Sequence, residues 1–153
     1  MYNIKPRGGK MIELNTFKLE KYSGSNREHR KVVNSLQEDV LTRNTISRDL
    51  GGFIEKLEEK SKDFNEDFIG TYIAYNSDIA RGICGVDRNG SRYSTFLSML
   101  EEYRGEGLEF MLEDQFEEYL TYELGLNKIG KETFVQTVET PVKKRTLNNK
   151  NKR

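Results

Sequence analysis

The stretch Ser98-Met-Leu-Glu-Glu-Tyr-Arg-Gly-Glu-Gly-Leu-Glu109 joins two segments of opposite character. Before and into it, Ser91–Leu100 places Tyr93, Thr95, Leu97 and Met99 at alternate positions, the period of a strand. After it, Leu108, Met111, Leu112, Phe116, Tyr119 and Leu120 recur at helical spacing opposite Glu109, Glu113, Glu117 and Glu118. This predicts a helix over Glu106–Glu123, with Gly125 as the residue just past its end. A strand that runs through Gly105 and Gly107 into a helix turns sharply and leaves its amides uncovered. The helix start adds unpaired N–H donors and the positive end of its dipole. Together with Arg104 this is a cradle suited to a phosphate or pyrophosphate. Arg-Gly-x-Gly alone also reads as an ordinary strand-to-helix turn.

Upstream of this junction, Phe68–Asn76 (FIGTYIAYN) is β-branched and aromatic, and Asn76–Asp78 is a turn. Ile79–Val86 is a second strand, and the Asn89–Gly90 step marks a hairpin into the strand Ser91–Leu100. Nearer the N-terminus, Met11–Glu20 reads as one strand, and Ser23–Asn26 as turn chemistry that caps a helix starting near Arg27. Val32, Val33, Leu36 and Val40 mark that helix. Ile46, Leu50, Phe53, Ile54 and Leu57 mark a second one, carrying the costly Gly51–Gly52 pair, which reads alternatively as a break between two short helices. Lys56–Asp67 is charged and expected to be exposed. Downstream, Ile129–Thr140 reads as a last strand, stopped by Pro141. The order strand, two helices, three strands, helix, strand is that of a single α/β domain with mixed strand pairing.

Composition narrows the function. The 153 residues hold 25 Lys+Arg and 25 Asp+Glu, but the balance hides an uneven distribution. Lys5, Arg7 and Lys10 precede Met11, and Lys143, Lys144, Arg145, Lys150, Lys152 and Arg153 follow Pro141, with no acid among them. Removing those nine from the 25 leaves 16 basic against 25 acidic residues, so Met11–Pro141 carries a net charge of −9. Residues 1–10 read as a leader, with Met11 as an alternative start. Residues 142–153 read as a disordered basic tail whose charge can also contact nucleic-acid phosphates. No signature of a specific nucleic-acid reader accompanies it. No apolar run spans a membrane and no signal peptide is expected. One cysteine, Cys84, excludes an intrachain disulfide framework and implies a reducing, cytoplasmic setting. With His29 the only histidine, neither a His/Cys metal site nor a Ser-His-Asp triad is expected.

Several residues have an ordinary reading beside a functional one. Glu101 and Glu102 stand where a general base would be useful, but exposed acids are common in an acidic domain. Tyr72, Tyr75 and Tyr93 sit on strands, where a core or half-exposed position is the default and substrate contact the alternative. His29 is expected on the helix surface. Cys84, between Ile83 and Gly85–Val86, is expected to be a small buried side chain.

At the words Glu102-Tyr-Arg-Gly-Glu-Gly-Leu108, Phe116-Glu-Glu-Tyr-Leu120 and Glu123-Leu-Gly-Leu-Asn-Lys-Ile129, the sequence resembles the GNAT (Gcn5-related N-acetyltransferase) superfamily. The resemblance covers about 68–140 and is architectural over 11–62. It implies a mixed, mainly antiparallel sheet flanked by helices. It further implies that Arg104, Gly105, Glu106, Gly107 and Leu108 form the turn whose amides hold the pyrophosphate of acetyl-CoA. Leu97 and Met99 would then lie along the pantetheine arm, which bonds main-chain groups as an added strand would. The implied chemistry is transfer of an acetyl group to an amine acceptor, a small molecule or a peptide, without a metal.

The sequence departs from the family pattern at three places. Position 109 is Glu where the family has Gly or Ala. Val138–Val142 replaces the Asn and Tyr-bearing helix that follow the last strand, so the Tyr that often protonates the leaving thiolate has no counterpart. The chain also stops before the family's final two strands, which implies a C-terminally truncated fold, completed by a second subunit in a homodimer or inactive. The alternative reading is therefore a non-catalytic binding or interaction module of the same fold.

Overall fold

Alternating apolar residues give the strands two buried faces, and the sheet is covered on both sides. The computed structural model of the chain describes residues 11–125. Its strands are β1 (Met11–Glu13), β2 (Lys18–Lys21), β3 (Gly70–Asn76), β4 (Ile79–Asn89) and β5 (Arg92–Met99). They form one sheet in the order β1-β2-β3-β4-β5, every neighbouring pair antiparallel. The helices are α1 (Arg27–Gln37), α2 (Val40–Thr45) and α3 (Leu50–Phe64), inserted between β2 and β3, and α4 (Leu108–Glu118) after β5. A 3₁₀ turn, Glu101–Tyr103, links β5 to α4, and α4 runs on into a wider π turn at Tyr119–Glu123.

On one face of the sheet Leu19, Tyr72, Ala74, Cys84, Val86 and Met99 pack with Leu112, Phe116 and Leu120 of α4 and its extension. On the other face Ile73, Ile83 and Phe96 pack with Val32, Val33 and Leu36 of α1 and with Leu50, Ile54 and Leu57 of α3. Pairing of Ala74 with Gly82 and of Tyr75 with Ala80 leaves Arg81 as an extra residue in β4. This bulge turns Ala80 onto the same face as Ile83.

The meander of β3, β4 and β5 and the helix after it stand where the sequence places them. Several readings are corrected. Met11–Glu20 is a hairpin and not one strand: Ile12 pairs with Leu19, and Leu14 N–H donates to Phe17 C=O across the turn at 2.8 Å. The two early helices are three, because Asp39 and Asp49 each cap a new one with a side-chain oxygen. The chain breaks before Gly51–Gly52, which lie in the first turn of α3, and much of Lys56–Asp67 continues that helix. His29 is 2% exposed. Its Nδ1 accepts from the Ser23 N–H at 3.0 Å, so Nε2 carries the proton and donates to Glu20 at 2.9 Å. Met111, assigned to the apolar stripe, is exposed, while Leu112 and Phe116 are buried. The last strand, the leader and the basic tail lie outside the described residues.

The strands approach closely at Gly85, which pairs with Thr71 and Phe96. A Cβ there would overlap the Gly70 carbonyl oxygen and the Phe96 ring. Gly85→Ala is therefore expected to cost about 2 kcal/mol, measured as a lower urea midpoint. A change within ~0.5 kcal/mol would show that the sheet has room to yield.

Candidate functional site

The turn between β5 and α4 is built by conformations that few residues accept. Gly105 and Gly107 both lie in the left-handed region, at φ 85° and 86°. Among the described residues a Cβ on either would meet nothing within 4 Å, so the backbone angle is what calls for glycine. Gly107 is the N-cap of α4, and no side chain caps that helix start. Leu108 anchors the turn by packing against the α4-side core. Gly105 and Glu106 are exposed.

Arg104 is held to one side of this turn. Its Nε donates to the Met99 carbonyl at 2.9 Å, and its two terminal nitrogens donate to the two carboxylate oxygens of Asp39 at 3.1 and 2.7 Å. The side chains are 21% and 15% exposed, so the fork is partly withdrawn from water. Asp39 also accepts from the Thr42 amide and hydroxyl, both at 2.8 Å. Since Thr42 spends its hydroxyl proton on Asp39, Ser98 on β5 donates to the Thr42 oxygen at 2.7 Å. The bonds from Arg104, and then those from Thr42, hold the Asp39 carboxyl down at about 2 against the upward pull of burial. One connected network thus joins β5, the turn and the start of α2.

The guanidinium predicted to face a pyrophosphate is therefore engaged with a carboxylate, and the anion-binding capacity of the turn rests on its amides. Asp39 is the residue that the sequence reading missed. Its local signal, an Asp three residues before a Thr at a helix start, was present. Its partnership with Arg104, 65 residues away, left no trace in the pattern.

Met99 is buried and Leu97 half-buried, both on the α4 side of β5. Among the described residues β5 pairs only with β4. Glu101 and Glu102 are exposed on the 3₁₀ turn, where Tyr103 stacks under the Arg81 guanidinium at 4.6 Å. The tyrosines are committed elsewhere. Tyr72 is buried and donates to the Phe68 carbonyl, and burial pushes its phenol up. Tyr75, raised by burial and by neighbouring carboxylates, donates to Glu28. Tyr93 donates to Glu66 at 2.8 Å and accepts from Arg88. Cys84 is fully buried, which pushes its thiol up and leaves it unreactive.

Because the folded Asp39 carboxyl titrates below its ordinary 3.8, its stabilising effect is complete above that value and disappears as pH falls toward 2. Asp39→Ala removes a cap and half of a fork, and is expected to cost about 2 kcal/mol at pH 7. The gap to the wild type should close as denaturation curves are taken from pH 5 to pH 2. A gap independent of pH would show that the charge of Asp39 does not carry the effect.

Comparison with known proteins places this geometry in a fold. No protein-family model matches the chain, and no curated protein gives a significant match. Among solved structures, it is similar to an acetyltransferase (GNAT family) from Bacillus anthracis, with TM-score 0.54 and 14% identity. That match covers 76% of this chain and 69% of the other. It is similar as well to RimL, a ribosomal L7/L12 alpha-N-protein acetyltransferase in an apo crystal form, with TM-score 0.53 and 12% identity. There the match covers 83% of this chain and 73% of the other. An antiparallel sheet entering a two-glycine turn and a packed helix, together with these likenesses, identifies the chain as having the fold of the GNAT acetyltransferases.

Proposed function

We propose that the protein is an N-acetyltransferase that takes an acetyl group from acetyl-CoA and delivers it to an amine. The observation that carries this reading is the turn itself: two left-handed glycines open an uncapped helix start at the end of β5, on this fold. The amides of Gly105 to Leu108 would hold the donor's pyrophosphate, and main-chain groups of β5 at Leu97 and Met99 would take its pantetheine arm. Bound acetyl-CoA supplies an activated thioester carbon. A neutral amine would attack that carbon, its proton passing to a base or water chain, and the carbon–sulfur bond would break to release the CoA thiolate, which takes a proton from water. A main-chain N–H at the strand edge would steady the oxyanion. The −9 charge of residues 11–141 favours a cationic acceptor, a small amine or an amine-bearing peptide. We place this activity in the cytoplasm, in keeping with the single buried cysteine.

A second reading is favoured by the commitments of the side chains. Tyr72, Tyr75 and Tyr93 all spend their hydroxyls on structural partners, and Arg104 is spent on Asp39. A binding module of the same fold, a monomer or a homodimer, needs none of them for chemistry. Binding of CoA without turnover of any of a panel of amines would select it.

Acetyl-CoA or CoA at millimolar concentration is expected to raise the melting temperature by several degrees, read by differential scanning fluorimetry. Gly107→Glu, which adds an anion and strains the left-handed position, should abolish that rise. No shift in the wild type overturns the acetyl-CoA reading, and an undiminished shift in the variant moves the site away from this turn.

A further inference from the structure

Glu109 stands two residues into α4, and its side chain folds back over the turn. Its Oε2 accepts from the Gly105 N–H at 3.3 Å. Its Oε1 is shielded from solvent and has no hydrogen-bond partner among the described residues. The chain's own carboxylate therefore occupies one of the amides on which anion binding by this turn depends. The neighbouring charges do not offset it. Glu101, Glu102 and Glu106 share the segment, and the one cation in it, Arg104, is matched by Asp39.

The hold on this carboxylate is weak. Among the described residues it has a single long bond from a neutral amide, and one oxygen sits without a donor, a state that costs free energy. Rotation outward would return both oxygens to water and uncover Gly105. A phosphate arriving at the turn meets the same amide and a charge of its own sign, so the two anions exclude one another.

The geometry points to Glu109 as a built-in competitor for the donor's phosphate: it occupies the Gly105 amide in the free protein and must swing out for the phosphate to bind. This rests on the acetyl-CoA reading and adds to it a residue that sets donor affinity. The device makes binding weaker than the two-glycine turn would otherwise give, so that the site fills only at high donor concentration. A purely structural Glu109, favouring the positive end of α4, would influence stability and leave donor affinity alone.

The test is calorimetric titration of CoA into the full chain carrying Glu109→Ala, Glu109→Gln or, as a control for general charge, Asp114→Asn on the exposed face of α4. Glu109→Ala should bind CoA about tenfold tighter than the wild type, equal to about 1.4 kcal/mol. Glu109→Gln should fall between them, and Asp114→Asn should stay within about twofold of the wild type, less than about half a kcal/mol. Independently of any ligand, the Gly105 amide signal in a nitrogen–proton correlation spectrum should move in Glu109→Ala. CoA affinity unchanged in both Glu109 variants, an equal gain in Asp114→Asn, or a Gly105 signal that does not move would each overturn the proposal and leave the acetyl-CoA reading standing. If neither the wild type nor any variant binds CoA, the acetyl-CoA reading itself fails, while the Gly105 signal still reports whether the contact exists.

Discussion

The carboxylate of Asp39 caps α2 and grips Arg104 through both of its oxygens, across 65 residues of sequence. Three parts of the molecule meet there. Arg104 also reaches back to the Met99 carbonyl, so the last residue of β5 is tied to the turn that follows it. Thr42 passes the connection on to Ser98 on the same strand. Every member of this chain is satisfied, which is the condition under which a partly buried polar network fixes one geometry. The position of the two-glycine turn relative to α2 follows from it. At the other end, Gln115 of α4 accepts from the Thr16 amide and donates to the Thr16 hydroxyl, both at 2.8 Å, fastening the helix to the β1–β2 hairpin.

This arrangement gives the arginine a different part from the one its place in the turn suggested. A guanidinium beside two glycines reads as a ligand for an anion, and here it is a strut. The turn keeps its donor character through the backbone, which the sequence reported faithfully because only glycine tolerates those angles. Side chains that act over long separations were invisible, whereas backbone requirements that act locally were legible.

The same distinction explains the early part of the chain. Ile12 and Leu14 are apolar at even positions, whereas Phe17 and Leu19 are apolar at odd ones. That change of parity is the mark of a turn, and the hairpin puts Ile12 opposite Leu19. His29 falls three and four residues before Val32 and Val33, on the buried stripe of α1, so its burial was also written in the spacing. What spacing could not supply was the reason a polar ring is tolerated there: bonds to Ser23 and Glu20, and stacking against Tyr22. The break between α2 and α3 was likewise announced by Asp49, and obscured by the glycines that follow it.

Because the strands carry a core on each face, their alignment is specified twice. Tyr72 and Cys84 look toward α4, while Ile73 and Ile83, their neighbours in sequence, look toward α1 and α3. Sliding β3 past β4 by one residue would exchange these sets wholesale, sending a tyrosine into the space of an isoleucine. The glycines of β4 would move as well, and side chains would collide where Gly85 now admits the Phe96 ring. An error of a single step is thus penalised on both sides of the sheet at once, so the strand that leads into the two-glycine turn arrives there in one register.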